Sequence, residues 1–317
     1  MKVLVTGGAG FIGSHIVDKL IQESCQVFVL DNLSTGLSEN INKAATFVKM
    51  DICNSHELSD LFKREQFDYV VHQAAQTSVP ESVTKPDYDC QVNILGSVNV
   101  LEACRKTAVK RIVAASSAAV YGNVTKIPVL ENTPKYPTSF YGASKLTVEQ
   151  YLALYSQIYN LEYVALRYAN VYGERQGADG EGGVINIFAQ KIQANEAITI
   201  YGDGTQTRDF VYAGDVALAN FQALTTSNFN TAYNVSTQTE TSIDALIALM
   251  EQTTASVVKK QYMLPREGDI YRSSLSNTMA AQLLNWKPTM SLPEGITKTY
   301  RKLQRSKSIF RGEEDYE

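Results

Sequence analysis

Short β-branched apolar runs alternate with amphipathic segments of helical length along the first half of the chain. This alternation is typical of parallel strands joined by crossover helices. It predicts strands at 2–6, 27–31, 46–50, 69–72, 111–116 and 162–167, and helices at 11–23, 54–64, 87–106 and 141–160. Asn54, with Glu57 three residues later, marks the start of the second helix as a capping pair. The pattern therefore predicts an α/β fold with a Rossmann-like doubly wound parallel sheet.

The rhythm of the pattern changes after Arg167, where a glycine-rich stretch at 173–183 precedes shorter, mixed elements. A strand-like run at 232–235 predicts a return to the sheet. A capping box from Ser291 to Glu294 begins the last helix, and the acidic end at 313–317 is expected to fray. We predict a larger domain of residues 1–170 with a return near 209–239, and a smaller mixed α/β domain of residues 171–208 and 240–317.

Composition narrows the classes of protein to consider. With 44% hydrophobic and 20% charged residues, the 317-residue chain has the composition of a globular protein. A net charge of -4 gives no attraction for nucleic acid. The absence of a leader pattern and of any apolar run of about 18 residues predicts a cytoplasmic protein without a membrane partner. Four scattered cysteines without a paired CxxC spacing predict reduced thiols and no metal site.

A glycine-rich turn follows the first predicted strand and opens the first helix. Gly7, Gly10 and Gly13 have the GxxGxxG spacing. Glycine allows a tight turn and a close approach of the backbone to a pyrophosphate, which the helix N-terminus attracts. Asp31 follows at the end of the second strand, where a carboxylate accepts a hydrogen bond from a ribose 2′-hydroxyl. The combination predicts a dinucleotide site rather than a turn required only by packing.

The charge at Asp31 selects between the two nicotinamide dinucleotides. It would repel a 2′-phosphate, and Asn32 and Ser34 after it supply no cation, so NAD is predicted over NADP. Asp51 and Ile52, after the third strand, are expected to flank the adenine. The full predicted cofactor site comprises Gly7, Gly10, Phe11, Ile12, Gly13, Asp31, Asn32, Ser34, Thr35, Gly36, Asp51, Ile52, Gln73, Ala74, Ala75, Asn93, Tyr141 and Lys145.

Tyr141 and Lys145 are spaced i, i+4 and therefore share one face of their predicted helix. A phenol with a pKa near 10 is a poor base at neutral pH, and a neighbouring ammonium favours the phenolate. The preceding strand ends in Ser116 and Ser117, so a hydroxyl, a phenol and an ammonium converge at the carboxyl edge of the sheet. We predict Ser117, Tyr141 and Lys145 as the catalytic residues, with Lys145 also binding the nicotinamide ribose and Ser117 holding the reacting sugar hydroxyl.

These motifs together resemble the extended short-chain dehydrogenase/reductase superfamily, and within it the UDP-glucose and UDP-N-acetylglucosamine 4-epimerases. The resemblance runs through TGGAGFIGSH at 6–15, DNLSTG at 31–36, SSAAVYG at 116–122, YGASK at 141–145, RYAN at 167–170 and RDFV at 208–211. It implies a tightly held NAD that oxidises C4 of a UDP-hexose, rotation of the keto-sugar and return of the hydride to the opposite face. It also implies a homodimer, an NAD-binding larger domain and a UDP-sugar-binding smaller one.

Related enzymes are distinguished by the residues before Val120. Nucleotide-sugar 4,6-dehydratases typically carry an Asp-Glu pair where this chain has Ala118 and Ala119, and UDP-glucuronate decarboxylases keep the glutamate. Because alanine can neither protonate a leaving hydroxyl nor act as a base, epimerisation is favoured. A UDP-glucuronate 4-epimerase, another NAD-linked nucleotide-sugar oxidoreductase and a non-catalytic dinucleotide sensor remain as alternatives.

The resemblance also implies the residues of the UDP-sugar site. Asn170, Arg208, Arg266 and Asp269 are expected at the nucleotide diphosphate and ribose, and arginine suits phosphate because its planar fork donates two hydrogen bonds. In this family, a bulky tyrosine at the position of Ser273 accompanies restriction to UDP-glucose and UDP-galactose, whereas a small residue leaves room for an N-acetyl group at C2. The predicted substrate site comprises Ser117, Tyr141, Asn170, Val184, Tyr201, Arg208, Arg266, Asp269 and Ser273.

Overall fold

The computed structural model describes residues 1–177, 183–265 and 270–314, with side chains described up to residue 304. The elements of the first half are β1 (Lys2–Thr6), α1 (Phe11–Gln22), β2 (Gln26–Asp31), β3 (Thr46–Lys49), α2 (Ser55–Glu65), β4 (Tyr69–His72), α3 (Val79–Thr84), α4 (Pro86–Asp89), a π-helix (Cys90–Leu95), α5 (Gly96–Lys106), β5 (Arg111–Ser117), α6 (Phe140–Tyr159) and β6 (Glu162–Tyr168). The second half contains β7 (Asn170–Tyr172), α7 (Val184–Gln193), β8 (Ile198–Tyr201), β9 (Thr207–Arg208), β10 (Phe210–Tyr212), α8 (Ala213–Thr225), β11 (Thr231–Val235), β12 (Thr241–Ser242), α9 (Ile243–Thr254), β13 (Lys260–Met263), α10 (Thr278–Leu283) and α11 (Leu292–Glu314).

Seven strands form one parallel sheet in the order β11-β6-β5-β4-β1-β2-β3. The predicted Rossmann-like α/β fold is therefore confirmed, and so is the return of the chain at β11, where Thr231 lies opposite Val164. The strand order reverses between β1 and β4. In open parallel sheets, ligands bind in the crevice at the carboxyl ends of the strands at such a reversal.

Each face of the sheet is covered by helices because successive strand side chains point in opposite directions. Val3 and Val5 belong to the core under α1 and α8, whereas Leu4 belongs to the core under α2, α5 and α6. A further core joins α7, β8, α9 and α11 through side chains such as Phe188 and Leu246. The division into two domains at the predicted boundaries stays a prediction.

The helix predicted at 87–106 is not continuous. The chain forms the short α4, then the π-helix Cys90–Leu95, and only then α5. The wider π-helical turn directs the side chain of Asn93, 1% exposed, into buried hydrogen bonds. Because hydrophobic periodicity does not register such a change of pitch, the sequence predicts one regular helix here.

Helix termini were predicted more accurately. Asn54 accepts a hydrogen bond from the Glu57 backbone amide at 3.3 Å, and the carboxylate of Glu294 accepts from the Ser291 amide at 3.3 Å, as a capping box requires. The four cysteines carry free thiols. Within the described part of the chain, no helix has the length and apolar character needed to cross a membrane.

Candidate active site

The turn between β1 and α1 carries the three predicted glycines. Gly7 has a positive φ of 70°, and a Cβ there would lie 2.6 Å from the Ala74 backbone nitrogen. A Cβ at Gly13 would overlap the Gly7 carbonyl oxygen. Gly10 is the N-cap residue of α1 and forms no side-chain cap, which leaves the positive end of the helix open to an anion. The turn can therefore present backbone amides to a pyrophosphate.

Asp31 ends β2 with its side chain held beside this turn. The residue is 7% exposed, and its carboxylate accepts hydrogen bonds from the backbone amides of Ala9 at 3.0 Å and Leu33 at 2.9 Å. Gly36 packs so closely that a Cβ there would lie 2.8 Å from Asp31 Oδ1. The remaining lone pairs of this fixed carboxylate can accept from ribose hydroxyls.

The loops after β2 and β3 contact each other at the same edge of the sheet. Asn32 Nδ2 donates to Asp51 Oδ2 at 2.9 Å, and the Ser34 amide donates to Asn32 Oδ1 at 3.0 Å. Ile52 differs from its neighbours because its side chain is 4% exposed and packs in the core against Gly96. The remaining predicted cofactor residues of this edge are Thr35, which is exposed, and Phe11 and Ile12, which form the first turn of α1.

The segment after β4 passes under the glycine turn. The Ala74 amide lies 3.3 Å from the Thr6 hydroxyl, and Gln73 Nε2 donates to the Tyr168 hydroxyl at 3.1 Å. Ala74 and Ala75 are partly exposed. Small side chains therefore lie where the chain leaves β4 and enters the crevice.

Ser117, Tyr141 and Lys145 meet at the carboxyl end of β5. Ser117 is the last residue of β5, and Tyr141 and Lys145 lie in the first turns of α6. Lys145 Nζ lies 5.8 Å from the centre of the Tyr141 ring and donates to the carbonyl oxygen of Ala115 at 3.1 Å. The hydroxyl of Ser117 accepts from the Ala119 amide at 3.1 Å. The structure thus brings the three predicted catalytic residues together.

The electrostatics of this group favour proton transfer near neutral pH. Burial lowers the pKa of Lys145 to about 8, and the Asp89 carboxylate opposes that fall. The ammonium in turn favours the phenolate of Tyr141. Burial raises the pKa of the neighbouring Tyr168 to about 12, so this second phenol stays protonated.

The hydroxyl of Ser116 has a different role from that of Ser117. It lies 2.5 Å from Glu149 Oε1, and both oxygens of that carboxylate pair with the guanidinium of Arg167 at 2.8 and 2.6 Å. The three side chains are buried or nearly so and join α6 to β5 and β6. They hold α6 against the sheet.

Asn93, a predicted cofactor contact, has its side chain committed to the protein. Asn93 Oδ1 accepts from the Gln76 amide at 2.8 Å, and Nδ2 lies 3.0 Å from the Gln76 carbonyl, Asp89 Oδ1 and Ser144 Oγ. Ser144 directly precedes Lys145 in α6. In this structure Asn93 therefore ties the π-helix to α6.

Several of the predicted substrate residues lie on elements that follow β6 in the chain. Asn170 begins β7, and its backbone amide donates to the Asp209 carbonyl at 2.9 Å, which places it beside Arg208 at the end of β9. Ser273 lines a small cavity together with Gly122 and with Ala118, the residue that directly follows Ser117. Val184 begins α7 and Tyr201 ends β8. Arg266 and Asp269 lie outside the described residues.

Asp209 is an organising residue that the sequence reasoning did not single out. Its buried carboxylate accepts from the amide and hydroxyl of Thr237, both at 2.8 Å, and from the amide of Gln238 at 3.1 Å. It also lies 3.3 Å from the Leu275 amide, close to Ser273. An aspartate between Arg208 and two apolar residues was the available signal, because a charge directly before a buried strand needs several donors.

The parallel sheet, the glycine turn and the buried carboxylate of Asp31 are the features of a Rossmann-type dinucleotide-binding protein. The model of the NAD dependent epimerase/dehydratase family matches residues 3–236, and the chain belongs to this family. The UDP-glucose 4-epimerase of Mycolicibacterium smegmatis is 39% identical over 305 residues, which cover 94% of this chain and 97% of that protein.

Solved structures give the same result. A UDP-glucose 4-epimerase with UDP-glucose from Thermotoga maritima has a TM-score of 0.94 and 40% identity, covering 96% of this chain and 99% of the other. The Thermus thermophilus UDP-glucose 4-epimerase complex with NAD has a TM-score of 0.91, 41% identity and the same coverage. A UDP-N-acetylglucosamine 4-epimerase from Methanobrevibacter ruminantium, in complex with UDP-N-acetylmuramic acid, has a TM-score of 0.92 and 36% identity, covering 96% and 98%. The predicted enzyme class, an NAD-dependent UDP-sugar 4-epimerase, and the predicted cofactor are confirmed.

Proposed function

We propose that the protein interconverts UDP-glucose and UDP-galactose by inversion at C4, and that it also interconverts UDP-N-acetylglucosamine and UDP-N-acetylgalactosamine. The observation that carries the first part is the Tyr141–Lys145 pair, with 5.8 Å between ammonium and ring centre, beside Ser117 at the edge of the crevice. Such a pair removes a proton from a hydroxyl while hydride leaves the same carbon.

Each residue of the group has a separate task in this scheme. Ser117 holds the C4 hydroxyl, the Tyr141 phenolate accepts its proton, and Lys145 stabilises the phenolate by charge. The glycine turn and Asp31 would hold NAD, which supplies reversible hydride transfer at C4 when bound. Once the keto-sugar has rotated, Tyr141 returns the proton to the C4 oxygen. The hydride returns from bound NAD to the opposite face of C4, so no net oxidation results.

Ala118 and Ala119 support simple epimerisation as the outcome. Both follow Ser117 in a short 3-10 turn at the edge of the crevice. A dehydratase needs an acid to protonate the leaving hydroxyl at this stage, and methyl groups cannot supply one.

The small side chain of Ser273 supports the wider substrate range. Ser273 lines a small cavity with Ala118 and Gly122 and with the bulkier Tyr121 and Arg272. A serine leaves more room at this position than the tyrosine that accompanies restriction to UDP-glucose and UDP-galactose in the family, and similarity to a UDP-N-acetylglucosamine 4-epimerase supports the same proposal.

Arg272 argues against a uronate as the main substrate. Its guanidinium lines the same cavity but forms a two-point ion pair with Glu240, with distances of 2.9 and 2.7 Å. Recognition of a sugar carboxylate by this arginine would require breaking that pair.

The experiment that tests the proposal uses three substrates. Purified protein is incubated separately with UDP-glucose, UDP-N-acetylglucosamine and UDP-glucuronate without added cofactor, and the products are identified by NMR. We expect the C4 epimers of the first two and little absorbance from reduced nicotinamide. Accumulation of reduced cofactor, or a dehydrated or decarboxylated product, would refute the proposal.

We further propose that the protein acts as a homodimer through α6. Leu154 and Ile158 on this helix are 49% and 60% exposed, and Leu95 of the adjoining π-helix is 52% exposed. An exposed apolar patch of this kind is typical of an interface between subunits. Light scattering should give twice the mass of the 35.0 kDa chain, and Leu154→Asp with Ile158→Asp should give the monomer.

A further inference from the structure

A layer of buried polar side chains lies between the π-helix and α6, behind the catalytic pair. His72 Nδ1 lies 2.7 Å from the Thr6 hydroxyl, and His72 Nε2 lies 2.9 Å from the Ser97 hydroxyl. The Ser97 hydroxyl in turn donates to the Asn93 carbonyl. Asn93 then continues the layer to Ser144, as described above. The layer therefore runs from the strand before the glycine turn to the helix that carries Tyr141 and Lys145.

Asp89 is the acidic member of this layer. The residue is 1% exposed, and Oδ1 accepts from Asn93 Nδ2 at 3.0 Å. The same Asn93 Nδ2 lies 3.0 Å from Ser144 Oγ, and the Ser144 hydroxyl donates to the Tyr141 carbonyl at 2.9 Å. A carboxylate this deeply buried is costly unless donors and an opposite charge compensate it.

We propose that Asp89 is a positioning residue that acts as the buried counter-charge of Lys145 and thereby keeps the Tyr141–Lys145 pair in its active protonation state. The inference rests on the proposed function, because it assumes that this pair handles the substrate proton. It extends that function to a carboxylate on a different element, at the junction of α4 and the π-helix.

The other groups around Lys145 are neutral or already paired, so Asp89 supplies the counter-charge. From β4, the His72 ring faces Lys145, but burial lowers the pKa of His72 to about 3, so it is neutral at physiological pH. From β5, the contact is the uncharged Ala115 carbonyl. Tyr141 and Glu149 lie on the same helix as Lys145, and both carboxylate oxygens of Glu149 pair with Arg167. Burial lowers the pKa of Lys145 and raises that of Asp89, while the attraction between the two charges counteracts both shifts.

Loss of the Asp89 charge should narrow the pH range of activity. Without it the Lys145 ammonium loses its proton at lower pH, and the phenol of Tyr141 is then harder to ionise. In the NAD-loaded Asp89→Asn enzyme, we expect the midpoint of the alkaline limb of the kcat–pH profile to lie about one pH unit lower than in wild type. Ser144→Ala removes a hydrogen bond of the layer but no charge, so its alkaline limb should stay in place.

Asp87→Asn is the matched control, because Asp87 is an exposed acid on the same short helix. Its profile should coincide with that of wild type. An alkaline limb that does not move in Asp89→Asn, or that moves equally in Asp87→Asn, overturns the proposal. Asp89→Glu keeps the charge and covers the case in which Asp89→Asn does not fold: a limb within a few tenths of a unit of wild type supports the proposal, and a displaced limb overturns it.

Tyr141→Phe separates this inference from the proposed function. If Tyr141→Phe retains turnover, the proposed function fails. If Tyr141→Phe is inactive while the limb of Asp89→Asn is unmoved, only the role of Asp89 fails.

Discussion

Ser116 Oγ lies 2.5 Å from Glu149 Oε1, which fastens the catalytic helix to the strand that ends in Ser117. Glu149 also forms a buried ion pair with Arg167, whose side chain is 5% exposed. The spacing between Ser117 on the sheet and the pair on α6 therefore depends on a carboxylate one turn beyond Lys145.

Glu149→Ala should lower both stability and turnover. It leaves the Arg167 charge buried without its partner, and breaking such a pair costs about 3 kcal/mol or more of the free energy of unfolding. Urea unfolding and kcat measure the two effects. Glu23→Ala, which removes the exposed pair with Lys19, should cost at most about 1 kcal/mol. Equal losses in the two variants would contradict the anchoring role.

Asp31→Ala should narrow the preference for NAD over NADP. The substitution removes a ribose acceptor and the charge that repels a 2′-phosphate, and a hydrogen bond to a charged group contributes about 1.5–3 kcal/mol. The ratio of dissociation constants, measured by titrating apoprotein with each dinucleotide, should fall roughly tenfold or more. Glu39→Ala, at an exposed carboxylate in the following loop, is the control. An unchanged ratio would mean that the ribose is recognised elsewhere.

Ser273→Tyr should select against acetylated sugars. A ring placed in the cavity beside Ala118 and Gly122 has little room to relax, and overpacking costs about 1–3 kcal/mol, or roughly 10–100-fold in kcat/KM. The measurement is the ratio of kcat/KM for UDP-N-acetylglucosamine and UDP-glucose. Ser273→Ala tests the hydroxyl without adding bulk and should leave the ratio near wild type. If Ser273→Tyr also leaves it there, Ser273 does not control substrate breadth.

The strands, the glycine turn and the Tyr141–Lys145 spacing could be predicted because each depends on local pattern. Continuous apolar runs of strand length, the steric demand at Gly7 and the i, i+4 geometry of a helix all depend on neighbouring residues. Tyr141 and Lys145 therefore lie together as expected, because their relative positions depend on one helix.

The rest depends on contacts between residues distant in sequence. No residue close to Asn93 in sequence signals the π-helix. The hydrogen-bond partners of the Asn93 side chain, Gln76 and Ser144, lie 17 and 51 residues away. The two adjacent serines at the end of β5 look equivalent in sequence, yet the Ser116 hydroxyl contacts Glu149 while the Ser117 hydroxyl accepts from the Ala119 amide. Long-range polar partners of this kind are specified only once the helices have packed.

His72 should make stability depend on pH in the acidic range. In the unfolded chain its pKa is near 6.5, and burial lowers the folded pKa to about 3. Between these values the unfolded state binds more protons, so the free energy of unfolding falls as pH falls, by up to about 1.4 kcal/mol per pH unit. His72→Gln should show a shallower decline in urea unfolding over that window. His56→Gln, at a histidine whose side chain is 87% exposed, should decline as wild type does, and an equally steep decline in His72→Gln would contradict the assignment.

The central claim is that the Tyr141 oxygen carries the substrate proton, and the turnover of Tyr141→Phe tests it most directly. The substitution removes one oxygen and leaves the glycine turn, Asp31 and Ser273 in place, so NAD and UDP-glucose should still bind with nearly unchanged dissociation constants. General acid–base groups contribute about 10²–10⁴-fold to rate, and kcat for UDP-glucose should fall by at least the lower of these factors. A Tyr141→Phe enzyme with turnover within a few-fold of wild type would contradict the account.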